Sequence, residues 1–265
     1  MVFSPALTIA GSDSSSGAGL QADLKTFAHL GIHGLNAVTC VVAETPKIVT
    51  DIHPVPPSIL HQQLSLLLTS YPIGAIKTGM LYSKAHIETV HNLLMEEDIP
   101  LVIDPVMVAS TGDPLLEESA LDAIGEQLLP LATIITPNLP EAEILLGRPV
   151  LSYQDQEEAA LELADQFDCA CYLKGGHFED PREHRDLLAV SGEIQTFHSP
   201  HLELPSTHGT GCTLAAALTA GICQGLNFQD AAKLAHAFTH QALKDSLCWT
   251  TPSGENIWHL NQLSR

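Results

Sequence analysis

Basic residues are scarce in this chain: 11 Lys and Arg stand against 31 Asp and Glu, giving a formal net charge of −20. A protein that grips nucleic acid needs a basic footprint, so nucleic acid is not an expected partner. A phosphorylated ligand stays open, because backbone N–H groups bind phosphate without cationic side chains. No run of about 18 apolar residues occurs, so no membrane span is expected. Met1–Ala10 lacks a basic n-region and Asp13 closes the apolar run early, so no signal peptide is expected either. The cysteines (Cys40, Cys169, Cys171, Cys212, Cys223 and Cys248) form no CxxC pair. Without a secretory signal they are expected as free thiols in a reducing cytoplasm. HExxH is absent and Cys169-Ala-Cys171 has no metal-ligand spacing, which predicts no structural zinc. The Gly-Lys-Ser/Thr of a Walker A loop and the GxGxxG of a dinucleotide fold are missing too. Aromatics make up only 5% of residues while 45% are hydrophobic, so the core must come mainly from Leu, Ile, Val and Ala.

What is present is alternation. Short apolar runs at Ala6–Ala10, Gly34–Ala43, Gly74–Lys77, Leu101–Asp104, Ala132–Thr136 and Ala170–Lys174 read as strands. Helical patterns separate them at Gly17–Leu30, from Pro56 to Leu68, and at Lys84–Glu96, Glu117–Leu129 and Glu157–Gln166. Leu187–Val190 and Glu193–His198 read as a hairpin around Ser191-Gly192, followed by helices Gly211–Cys223 and Phe228–Asp245. No repeat or linker divides residues 1–265, which predicts one α/β domain with a mostly parallel sheet and helices on both faces. Such sheets bind ligands at the carboxyl ends of their strands.

The chemistry-bearing residues fall at those ends. In Thr207-His-Gly-Thr-Gly-Cys212-Thr213 a glycine pair leads into an alanine-rich helix. Gly209, Thr210, Gly211 and Cys212 at its start would present N–H groups and the positive end of the dipole to a transferring phosphoryl group; an isolated GTG alone would be an ordinary turn. Cys212, in the first turn, is expected to carry a lowered thiol pKa and to act as base or acceptor for a substrate hydroxyl. Its plain alternative is a small buried hydrophobe. Gly11-Ser-Asp-Ser-Ser-Ser-Gly17-Ala-Gly19 joins a strand to a helix, either holding backbone near a ligand or capping that helix. Asn138 and Glu141, i and i+3 after a strand, offer hard oxygens to Mg²⁺, often through water, or simply an acidic helix start. Lys174 ends another strand, where it would meet phosphate or a carboxylate.

Read together, Ala10-Gly-Ser-Asp, Ser16–Thr26, Lys77-Thr-Gly-Met-Leu81, Asp104-Pro-Val-Met107, Thr136–Ala142, Lys174-Gly-Gly-His177 and Thr207–Thr213 resemble, in order, the hydroxymethylpyrimidine/phosphomethylpyrimidine kinases of thiamin biosynthesis. These belong to the ribokinase-like superfamily. The resemblance implies an ATP- and magnesium-dependent phosphotransferase acting on 4-amino-5-hydroxymethyl-2-methylpyrimidine and its monophosphate, often as a homodimer. It places Ala18, Asp23, Val42, Glu44, Met80 and Val106 around the pyrimidine. Lys174, Thr207 and His208 fall on ATP, Asn138 and Glu141 on magnesium, and Cys212 against the hydroxyl. The family usually carries Gln-Asn-Thr where this chain has Glu44-Thr-Pro46, and Pro252–Arg265 matches it poorly. A pyridoxal or pyridoxine kinase of the same superfamily is the alternative, and a non-catalytic sensor of a thiamin precursor is a third, different class.

Overall fold

Strands buried on both faces organise the molecule. The computed structural model describes residues 3–107, 118–176, 183–202 and 208–263. In chain order these form β1 (Ala6–Asp13), α1 (Gly19–His29), β2 (Gly34–Thr45), β3 (Ile48–Pro54), α2 (Pro57–Ser70), β4 (Ala75–Thr78), α3 (Lys84–Leu94) and β5 (Leu101–Ile103). There follow α4 (Glu118–Ala123), β6 (Ile134–Ile135), α5 (Leu139–Leu146), α6 (Tyr153–Gln166), β7 (Ala170–Leu173), β8 (Glu183–Val190) and β9 (Glu193–Pro200). The last elements are α7 (Thr210–Cys223), α8 (Phe228–Lys244), β10 (Leu247–Thr250) and β11 (Asn256–His259).

Among the described residues, nine strands form one sheet in the order β3-β2-β1-β4-β5-β6-β7-β8-β9. Pairing is parallel from β2 through β7 and antiparallel at both edges. Alternate side chains enter opposite cores, as the two-residue period requires. Leu101, Ile103, Ile135, Cys171 and Leu173 pack under α2 to α6, while Val102, Ile134, Ala170 and Tyr172 pack under α7 and α8. Both layers are apolar, hence the near-continuous hydrophobic runs of the central strands.

Two strands not expected from the sequence, β10 and β11, pair in a separate hairpin after α8. The helix expected over Glu117–Leu129 changes winding: α4 widens into a π turn at Ile124–Leu128 and tightens to 3-10 at Leu129–Leu131. Pro130, which has no N–H to give, sits inside that last turn. No helix among the described residues is long and apolar enough to cross a membrane.

Candidate active site

The carboxyl ends of β1, β4, β5 and β7 open on one cavity of about 530 Å³, across which the start of α7 projects. Gly209 caps α7 with φ +88°, and a Cβ there would stand 2.0 Å from the Gly17 carbonyl oxygen. Only glycine meets both demands. The first intrahelical bond runs from Thr213 N–H to Gly209 O at 2.9 Å, so the N–H groups of Gly211 and Cys212 lie ahead of it at the positive end of the helix. The backbone N–H of Gly19, first residue of α1, faces the Cys212 sulfur and pulls its pKa down. Two helix starts therefore converge on one thiol.

That thiol is not the ready thiolate expected from its first-turn position. Burial pushes it up to about 12; Lys77 and the Gly19 N–H pull downward, while Asp23 and Asp104 add to the rise. The dipole is a sub-unit charge acting over one turn, and desolvation in this setting outweighs it. Cys212 is nonetheless only partly buried and lines the cavity.

Two Lys–Asp pairs flank the turn. Lys77 Nζ lies 2.9 Å from Asp23 Oδ2, with both side chains at 0% exposure. Asp23 Oδ2 also accepts from the Thr8 hydroxyl at 2.6 Å, while its Oδ1 is buried without a hydrogen bond. Burial opposes the Lys77 charge, but Asp23 and neighbouring acids more than offset it and hold the ammonium charged. Asp23 thus belongs behind the cavity wall, not among the residues lining it, which corrects its placement on the pyrimidine. Lys174 Nζ lies 3.0 Å from Asp104 Oδ1, at 16% and 3% exposure, and both line the cavity. A Cβ on Gly211 would stand 3.2 Å from this Nζ and 3.5 Å from Asp104 Oδ2, so the second pair lies directly under the turn.

Asn138 and Glu141 form a capping box on α5. Asn138 Oδ1 accepts from Glu141 N–H at 2.9 Å, and Glu141 Oε2 accepts from Asn138 N–H at 2.8 Å. Glu141 Oε1 also accepts from Met107 N–H at 3.4 Å. These contacts make Asn138 the cap of α5. Each carboxylate oxygen of Glu141 keeps a lone pair, and burial raises its carboxyl above the usual range although Lys174 pulls it back. With Asp104 beside Lys174, this donor set fits a magnesium ion held through water.

At one end of the cavity Ala18, Val42, Met80 and Val106 form an apolar wall, with Glu44 at its rim. A bulge in the β2–β3 pairing falls between Ala43 and Glu44, and Glu44 exchanges two backbone hydrogen bonds with the Ser14 hydroxyl at 2.8 and 2.9 Å. Burial and the charge of Asp13 push the Glu44 carboxyl up to about 7, with His208 pulling down. His208, expected on ATP, is here: its Nε2 lies 3.0 Å from Asp13 Oδ2, and Asp13, Glu44 and His208 place ligand atoms within 4.8 Å of one another.

Asp13 is already committed. Its Oδ2 accepts from Gly17 and Ala18 N–H at 3.0 and 2.8 Å, and Oδ1 accepts from Ser15 N–H at 2.6 Å. Burial would raise this carboxyl, but His208 and the N–H donors bring it down to about 2. The serine-rich loop therefore folds around Asp13, and no side chain caps α1. The opposite end of the cavity is lined by His184, Asp186, Pro200, His240 and Leu243. There Asp186 accepts from Gly175 N–H at 2.9 Å and from Tyr172 Oη at 3.1 Å. Sequence reasoning missed Asp13 and Asp186; the aspartate inside a serine-glycine loop was the available signal for the first. Thr207 and His177 lie outside the described residues.

Comparison with known proteins matches this geometry to a family. Residues 13–255 match the family model described as phosphomethylpyrimidine kinase. A hydroxymethylpyrimidine/phosphomethylpyrimidine kinase of Haemophilus influenzae is 42% identical over 245 residues, covering 91% of each chain. Among solved structures, phosphomethylpyrimidine kinase from Clostridium difficile aligns with TM-score 0.80 at 33% identity, over 90% of this chain and 98% of its own. A pyridoxal kinase from Staphylococcus aureus in complex with AMP-PCP and pyridoxal aligns with TM-score 0.87 at 32% identity, over 99% and 94%. The fold is ribokinase-like, and the chain belongs to the phosphomethylpyrimidine kinase family.

Proposed function

We propose that this chain transfers the γ-phosphate of ATP to the hydroxymethyl group of 4-amino-5-hydroxymethyl-2-methylpyrimidine, and then phosphorylates the monophosphate. The observation that carries the reading is the convergence of the α1 and α7 starts on Cys212, above one sealed cation and beside one open to the cavity. The pyrimidine would lie against Ala18, Val42, Met80 and Val106 with its amine toward Glu44. ATP would extend past Gly209–Cys212 toward His184 and His240, with Lys174 on its phosphates.

Phosphoryl transfer proceeds through a loose transition state, so the protein mainly positions groups and stabilises spread negative charge. The N–H groups of Gly211 and Cys212 and the ammonium of Lys174 supply that stabilisation. Little charge builds on the attacking oxygen in such a state. A neutral Cys212 sulfur therefore suffices to accept a hydrogen bond from the hydroxyl and orient it. A neutral thiol takes no second proton, so the hydroxyl proton would leave on a phosphoryl oxygen or to water once transfer is complete, and Cys212 would orient the hydroxyl only. Magnesium, when bound, neutralises phosphate oxygens; Glu141 and Asp104 would hold its waters, and Asn138 fixes Glu141.

The same proposal includes a cytoplasmic protein, in keeping with six free thiols, and a homodimer through the β2–β3 edge, where Val41 and Ile48 are half exposed. ADP release measured with the pyrimidine, its monophosphate and pyridoxal tests the substrate assignment. The expected order of kcat/KM places both pyrimidines above pyridoxal. Turnover of pyridoxal alone would overturn it in favour of the pyridoxal kinase.

A further inference from the structure

Gly17 is enclosed on every side. Its N–H donates to Asp13, a Cβ would stand 2.8 Å from both the His208 and the His259 ring, and its carbonyl oxygen abuts Gly209. The closing contact comes from the far end of the chain. Gln262, at 2% exposure, directs its side-chain nitrogen to Gly17 O at 3.3 Å and to Thr213 Oγ1 at 3.2 Å. An amide nitrogen carries two hydrogens, and the two acceptors, one backbone carbonyl and one side-chain hydroxyl, belong to the two segments that meet at the site: the glycine loop before α1 and the first turn of α7.

The segment that delivers Gln262 is itself held. Asn261 N–H donates to Ala242 O at 3.0 Å at the end of α8, Leu260 is buried, and Glu255 in the β10–β11 turn pairs with Lys47 in the β2–β3 turn at 2.7 Å.

We propose that Gln262 is a positioning residue for phosphoryl transfer: its amide fixes the glycine loop against the start of α7, so that Gly19 N–H, the Cys212 sulfur and the Gly211 N–H keep one relative placement. This rests on the reading of Gly209–Cys212 as the phosphoryl site. Gln262 touches neither substrate nor cavity, so its loss acts on geometry. A displacement of about 1 Å at a reacting centre costs up to about a hundredfold in rate.

The test uses the full chain with Gln262→Met, which keeps the volume and removes both donors, and Gln262→Asn, which keeps the amide one methylene short. Steady-state kinetics with ATP and the hydroxymethylpyrimidine are paired with hydrogen exchange read by mass spectrometry. The expected result for Gln262→Met is a kcat lower by about tenfold or more, with KM for ATP within about twofold. Peptides covering 14–20 and 208–214 should exchange about tenfold faster while β4, β5 and β7 keep their protection. Gln262→Asn should fall between parent and Gln262→Met, and it decides the matter if Gln262→Met does not fold.

Parental kcat in a folded variant overturns the proposal. So does exchange that rises throughout the sheet, which would mark a merely structural role. If the parent itself does not phosphorylate the pyrimidine, the substrate reading falls. The exchange pattern then judges the clamp alone: local loosening supports it, and unchanged exchange at both segments sinks it.

Discussion

The two Lys–Asp pairs beside α7 have nearly the same length, 2.9 and 3.0 Å, and opposite surroundings. Lys77–Asp23 is sealed in the protein, its acid also held by Thr8. Lys174–Asp104 opens on the cavity, next to Gly211 in the first turn of α7. A sealed pair keeps its geometry through the reaction and sets a constant field under Cys212. An open pair can exchange its partner for an incoming phosphate, because water or ligand can replace what the carboxylate gives up. On the proposed reading, the contrast separates a charge that shapes the site from a charge that takes part in binding.

Breaking the sealed pair should produce the largest effect. Lys77→Met leaves the Asp23 carboxylate buried without its cation, and such losses cost about 3–5 kcal/mol. Urea unfolding should show it, and the combined Asp23→Leu/Lys77→Met chain should recover most of that stability. Lys174→Met should behave differently: a smaller drop in thermal midpoint than Lys77→Met, because Asp104 keeps the Thr136 hydroxyl and lines the cavity, with kcat lower by roughly 10²–10³, the size of losing one preorganised electrostatic contact. If Lys174→Met unfolds the protein while Lys77→Met turns over normally, the assignment of the two pairs is reversed.

Gly211→Ala sharpens the comparison. A Cβ 3.2 Å from Lys174 Nζ must displace the ammonium by a few tenths of an ångström without touching the sealed pair. Turnover should fall about tenfold with little loss of stability. Gly209→Ala meets Gly17 O at 2.0 Å in a left-handed conformation, so it should damage folding instead.

The smallest effect concerns Glu44, whose carboxyl sits at about 7 against an ordinary 4.5. Between those values the folded state keeps a proton that the unfolded state releases, so the contribution of Glu44 to stability declines as pH rises from 4.5 to 7. Glu44→Gln should therefore raise the thermal midpoint more at pH 8 than at pH 5. If, as proposed, the ionised carboxylate accepts from the substrate amine, KM for the pyrimidine should rise as pH falls below 7. The rise at pH 6 should approach about tenfold, the inverse of the ionised fraction, and Glu44→Gln should flatten it.

Central strands were legible because burial on both faces writes apolar runs into the sequence: β4 and β7 fall within a residue or so of their expected spans. The hairpin turn was legible too, since Ser191 and Gly192 both take positive φ, 52° and 78°, the geometry that a two-residue connection needs. β3, β10 and β11 were not, because edge and hairpin strands that are exposed or only half-buried carry no such run. At the site, sequence located Cys212 but not its protonation, because the helix dipole is local and desolvation depends on everything packed around it. Asn138 and Glu141 were legible as a pair; the same spacing that suits a cation also suits a capping box, and only the hydrogen bonds distinguish them. His208 adjoins the phosphoryl turn in sequence, yet its ring points back to Asp13, 195 residues earlier.

The bond between Gly17 and Gln262 spans 245 residues of sequence. A chain made from its N-terminus can assemble β1, α1 and the sheet as they emerge, but this contact cannot form before residue 262 exists. The anion-binding turn can take shape while its clamp is still missing. Synthesis itself thus imposes an order of maturation: scaffold first, alignment of the reacting groups last.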